Sequence, residues 1–164
     1  MLDPGNRPAL GLTAAWSSGR YLVAWSASGS IAGTRITDDG VADGAVLLAE
    51  QPAGIHWTSP LVAALDHRFV LVIRHDVVDL LAHVDQTYVE GVSFSADADL
   101  ASVATLPRTP IFAIDDHLGR SMFAATNGNT LALAYNRSLP EAGAVTRVFL
   151  RLFAEGTSRR RVAH

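Results

Sequence analysis

The chain writes nearly the same segment three times, and that repetition constrains its fold more than any other feature. Tyr21-Leu22-Val23-Ala24-Trp25 returns as Phe69-Val70-Leu71-Val72-Ile73 and again as Ser121-Met122-Phe123-Ala124-Ala125, so the copies start 48 and 52 residues apart. A period of this size marks a stacked architecture whose units need their neighbours to bury their faces. Each unit holds four short apolar runs separated by turn residues, which is the pattern of β-strands. The first runs are Leu10–Trp16, Leu61–Leu65 and Ile111–Ile114, introduced by Pro8, Pro60 and Pro110. Proline suits such places because it has no N–H to contribute to a ladder. The second runs are the repeated segments, apolar without alternation, so both of their faces are expected to be covered. The third runs are Ile31–Thr37, Leu80–Asp85 and Thr130–Asn136, and the fourth are Ala45–Ala49, Val92–Ser95 and Val145–Phe153.

Turn residues punctuate the runs. Ser28-Gly29 and Asn127-Gly128 read as hairpin turns between second and third runs. Asp43-Gly44, Glu90-Gly91 and Glu141-Ala142-Gly143 read as turns between third and fourth runs. A helix is expected at most over Ala98–Ala104, and only for a turn or two.

Composition narrows the classes of function. The chain has 164 residues, enough for one domain with a sizeable core, and 49% of them are hydrophobic against 18% charged, which excludes bulk disorder. Cysteine is absent, so no disulfide framework or thiolate metal site exists. All 13 basic residues are Arg, as expected of a GC-rich bacterial source. Three of them, Arg159-Arg160-Arg161, sit in a basic tail (157–164) expected to be solvated and frayed. The rest of the chain is acidic and unsuited to a phosphate backbone, so no nucleic-acid partner is expected. No apolar run approaches the ~18 residues of a membrane span. The N-terminus lacks the basic and apolar regions of a signal peptide.

Run one, the Ser/Gly turn, Tyr-Leu-Val-Ala-Trp and Gly33-Thr34-Arg35-Ile36-Thr37-Asp38-Asp39-Gly40 together resemble the "YLVAW … G.R…DG" blades of bacterial β-propeller repeat proteins. Met1-Leu2-Asp3-Pro4-Gly5 is similar to the tail of a preceding unit in that family. The likeness is good over residues 1–50, weaker over 59–97 and faint over 109–154. It implies one all-β repeat domain over 1–156, with three tandem four-stranded antiparallel blades at about 8–50, 59–97 and 109–154. A β-sandwich or β-prism is the alternative. The family is common in large exported proteins, which implies an exported or cell-surface setting, and it brings no catalytic residues with it.

Three blades are too few to close a propeller of ~4–8 blades. The two end faces are therefore expected either to pair with a second copy, giving a six-bladed ring, or to meet further blades of a longer chain. The function expected is a non-catalytic binding or scaffold module. The alternatives are a lectin-like glycan binder and a hydrolase using Asp66, Asp115 and Asp116 in a central channel.

Strand parity places the loops Ser26–Ser30, Arg74–Val77 and Asn127–Asn129 at one end, together with the connectors Gln51–Ser59 and Asp99–Thr109. Ligand-binding candidates there are His56, Trp57 and Arg108, then His75 and Asp76. A Trp beside His and Arg can stack on a sugar or another planar group. A metal reading of His75, Asp76, Asp79 and His83, and a calcium reading of Asp38–Asp43, both fail on ligand spacing, so no metal and no cofactor are expected. His67 and His117 occupy matching turns at the opposite end, and no nucleophile elbow surrounds Ser17, Ser18 or Ser121.

Overall fold

A computed structural model describes residues 10–51, 57–79, 84–115, 118–139 and 145–154. They form eleven strands in three antiparallel sheets. The first sheet has β1 (Leu10–Ser17), β2 (Arg20–Ala27), β3 (Ser30–Thr37) and β4 (Val46–Ala49) in that order. The second has β5 (Trp57–Leu65), β6 (Arg68–Asp79), β7 (Val84–Ser95) and β8 (Thr109–Asp115). The third has β9 (Leu118–Thr126), β10 (Thr130–Leu139) and β11 (Val145–Ala154). A 3-10 helix, Leu100–Thr105, joins β7 to β8, as short as the sequence suggested. Among the described residues no helix is long and apolar enough to cross a membrane.

The sheets lie face on face, with the second in the middle. Alternate side chains of a strand point to opposite faces, and those of β6 are buried on both. Phe69, Leu71 and Ile73 join Leu22, Ala24, Ile31 and Leu48 in one core between the first and second sheets. Val70 and Val72 join Val89, Leu131 and Leu133 in another core between the second and third. The 3-10 helix seals the first of these cores with Leu100 and Val103. The first strands sit side by side. Val62 N–H of β5 donates to Thr13 Oγ1 of β1 (3.2 Å), and Leu65 bridges in parallel to Gly128, just past β9.

The second and third units depart from the expected layout. Arg74–Val77, expected as a loop, lies within β6. The runs around Asp85 and Val92–Ser95, expected as two strands broken at Glu90-Gly91, are one strand, β7. An unbroken register from Arg68↔Ser95 to Asp79↔Val84 outweighs the turn signal of a single Gly; residues 80–83 lie outside the description. The run at 111–114, expected to open the third unit, is β8 and pairs with β7. Pro60 and Pro110 both fall within edge strands, where the missing N–H is tolerated.

The capture of β8 has a consequence for the third sheet. Its innermost strand is β9, which descends from a second run, where the first two sheets place a first run. A shift of one strand in an antiparallel sheet reverses the chain and exchanges the faces. The third sheet therefore turns Met122, Ala124, Leu131 and Leu133 back toward the middle sheet. These are the positions matching Leu22, Ala24, Ile31 and Gly33, which the first sheet turns forward. The same shift carries the Asn127–Asn129 turn to the end opposite Ser26–Ser30. There Gly128 O accepts from Asp66 N–H (2.9 Å).

Candidate functional site

Of the residues singled out in the sequence, the structure joins His75 and Arg108 through Glu90. His75 continues the Phe69-Leu71-Ile73 row of β6 and is 1% exposed. It is flanked by Thr58 on β5 and Tyr88 on β7, its cross-strand partners. Its ring stacks on Tyr88, with centroids 4.5 Å apart. His75 Nε2 lies 3.1 Å from Glu90 Oε1. Arg108, just before β8, places Nη1 3.4 Å from the same oxygen, and its Nη2 donates to the Leu48 carbonyl of β4 at 3.1 Å. The cluster thus ties the middle sheet to the first.

Its electrostatics follow from burial. Desolvation holds the His75 pKa below the ordinary imidazole value, an effect that the hydrogen bond and charge of Glu90 partly oppose. Burial, then the nearby Glu90, pushes the Tyr88 phenol up. An ionised carboxylate only accepts, so the neutral ring carries its proton on Nε2 and keeps a lone pair on Nδ1. That Nδ1 and the Oγ1 of Thr58, its cross-strand partner, are both buried without a hydrogen-bond partner among the described residues.

The other candidates lie elsewhere. Asp76 follows His75 and therefore points to the opposite face. There its Oδ1 accepts from Arg74 Nε at 2.9 Å and from Thr87 Oγ1 at 2.6 Å. This separation removes the His75/Asp76 metal pairing; His83 lies outside the described residues. Trp57 opens β5 opposite Asp76, but its side chain and His56 are not among the described parts. The carboxylates of the Asp38–Asp43 turn have protein partners. Asp38 accepts from Trp16 Nε1 (3.1 Å), Asp39 from the Thr37 hydroxyl, and Asp43 from Arg35 Nε (2.9 Å). Asp66 and Asp115 stand at opposite ends of the second sheet, near Ser95 and Gln86 of β7. Nine residues of strand separate those ends by ~30 Å of backbone; the side chain of Asp115 is not among the described parts. Asp116 and His117 lie outside the described residues.

The structure also makes one pairing that the sequence reading did not anticipate. Ser18 Oγ lies 2.7 Å from His67 Nδ1, and His67 Nε2 lies 3.3 Å from Asp66 Oδ1. This is the connectivity of a hydroxyl–imidazole–carboxylate relay. The His67 and Asp66 side chains are 81% and 69% exposed, so water competes for every bond and the relay lacks the dry, preorganised surroundings that catalysis needs. Ser18 and His67 both adopt positive φ (52° and 50°), as tight hairpin turns require. The available signal was that consecutive units present these turns at equivalent positions. Glu90 gives no comparable signal, because Glu90-Gly91 has the form of a turn in the sequence.

Against models of known protein families the chain finds no match, and no curated protein matches it significantly. The likeness to propeller blades therefore rests on the residues quoted above.

Proposed function

We propose that this chain is a non-catalytic binding or scaffold module of propeller-like sheets, working through the outer faces of its stack rather than through a reactive centre. The observation that carries this reading is the apolar character of both outer faces. The first sheet exposes Leu12 (68%), Trp16 (53%) and Tyr21 (44%); the third exposes Phe123 (67%) and Val148 (75%) with Leu150 and Leu152. Scattered exposed hydrophobics are ordinary, but contiguous faces of this kind mark interaction surfaces. The polar cluster at His75 fits the same reading, since its bonds run from sheet to sheet.

Hydroxyl-radical footprinting at high dilution tests it. Trp16, Tyr21 and Phe123 should oxidise readily while Phe69 and Phe94 stay protected. Protection of Trp16 and Phe123 at the highest dilution would mean the chain covers its own outer faces, and the reading fails.

A further inference from the structure

Resting on that reading, we propose that two copies of this chain associate so that the outer face of the first sheet in each covers the outer face of the third sheet in the other. The outer face of the first sheet is built like a face already seen to receive a neighbour. Tyr21, Val23 and Trp25 occupy the positions of Phe69, Leu71 and Ile73, on which the first sheet packs. By strand register, Ala14 and Trp16 match Val62 and Ala64, and Ile36 matches Phe94. The first sheet thus repeats on its outer face the apolar pattern that the middle sheet turns toward it, open to solvent at Ala14, Trp16 and Tyr21, while Val23 and Ile36 are half-buried and Trp25 is buried.

The outer face of the third sheet suits that surface. Its edge strands, β9 and β11, carry Phe123 on one side and Val148, Leu150 and Leu152 on the other. Between them β10 presents the small Ala132 and Ala134. The result is a shallow trough flanked by large apolar side chains, with Asn136 opposite Val148 and no charged group among the described side chains. Orientation agrees as well. Because β9 takes the inner place of a first strand, the outer face of the third sheet corresponds in handedness to the face that the first sheet lays on the second. A third sheet can therefore approach a first sheet as the first approaches the second.

Area favours a second copy over an unrelated partner. A face of three strands about ten residues long covers roughly 400–450 Å². One such contact is small, but a two-fold pair makes it twice and covers four faces, in total roughly 1,700 Å², within the ~1,200–2,000 Å² of stable interfaces. A single foreign sheet would leave one end of the stack open.

Light scattering across a dilution series tests the proposal, with Trp16→Glu and Phe123→Glu as variants. The expected result is a doubled mass that halves on dilution, with association weakened at least about tenfold by either substitution. Mixing the two variants should restore part of the association, because the mixed pair keeps one contact between two unaltered faces. A monomer at every concentration overturns the proposal, as does a ladder of ever larger species. Sensitivity to Phe123→Glu alone also overturns it, because that is the signature of third sheet on third sheet. Should either variant fail to fold, footprinting of the unaltered chain decides. Trp16 and Phe123 must become protected together as concentration rises; labelling at every concentration overturns the pairing while leaving the scaffold reading intact.

Discussion

Strands β2, β6 and β9 carry the three copies of one repeated segment, yet only β6 is dry on both sides throughout that segment. Phe69, Leu71, Val72 and Ile73 are all fully buried, and Val70 is 7% exposed. In β2, Leu22 and Ala24 are fully buried, but on the other face only Trp25 is buried, Val23 is half-buried and Tyr21 is 44% exposed. In β9, Phe123 is 67% exposed between half-buried Met122 and Ala124. Composition alone made all three look like buried strands. What separates them is place in the stack: β6 has a sheet on each face, and the others have one. Burial here belongs to the neighbours of a strand as much as to the strand.

The largest test of that contrast replaces an aromatic ring in the middle and at the end. Phe69→Ala should lower stability by about 3–5 kcal/mol in chemical denaturation, because a fully buried ring leaves a cavity. Phe123→Ala, in the same assay at high dilution, should stay within about 0.5 kcal/mol. Equal losses would break the comparison.

The seam between the first and second sheets is sharpened by its polar bonds. Arg20 Nη1 and Arg35 Nη1 both donate to the Ala96 carbonyl, at 3.2 and 3.1 Å, and Arg35 Nη1 also donates to Ala98 O at 2.8 Å. Ser26 donates to the Thr58 carbonyl, and Arg108 reaches Leu48 O. Across the other seam Arg151 donates to the Ile111 carbonyl. Glu90→Ala should lower stability by about 1–3 kcal/mol, since it strands the His75 Nε2–H in a dry site. Amide exchange should then rise first in the first sheet. Exchange rising equally in the third sheet would contradict a role local to one seam.

Gly33→Ala probes the same seam from the other side. A Cβ there would sit 2.4 Å from Leu48 Cδ1 and 2.9 Å from the Val23 carbonyl. Overpacking of this kind costs about 1–3 kcal/mol, read as a lower denaturation midpoint. An unchanged midpoint would mean that Leu48 does not hold its place in the core.

The smallest effect expected is a pH slope. The folded chain holds His75 below its ordinary pKa by desolvation. Below about pH 6.5 the unfolded chain binds the proton that the folded chain refuses. Stability present above that pH is therefore lost as pH falls toward the folded-state value. His75→Gln should flatten the decline, and identical slopes in both proteins would rule out His75 as its source.

Much of the layout was legible in the residues. The first unit reads directly because Ser-Gly turns close its hairpins: Ser18-Gly19 and Ser28-Gly29 adopt the positive φ that such two-residue turns need. The second unit was less legible. Glu90-Gly91 looks like a turn, but its neighbours are β-branched and aromatic, and β7 pairs along its whole length with β6. The fate of Ile111–Ile114 was not legible at all. An apolar run can pair with either neighbouring sheet, and local sequence does not record which edge is free. The site was half legible for the same reason. His75 and Arg108 were visible as candidates, but with Arg74–Val77 taken as a loop nothing showed that His75 and Asp76 face opposite ways.

Double-mutant cycles across the two seams test the layered packing most directly. Leu22→Ala with Leu71→Ala probes one seam, Val72→Ala with Leu133→Ala the other, and Leu22→Ala with Leu133→Ala spans the stack. The packing described here predicts coupling of about 0.5–3 kcal/mol within each seam and near-additivity across the stack. Additive effects within both seams would show that the sheets do not keep one another dry.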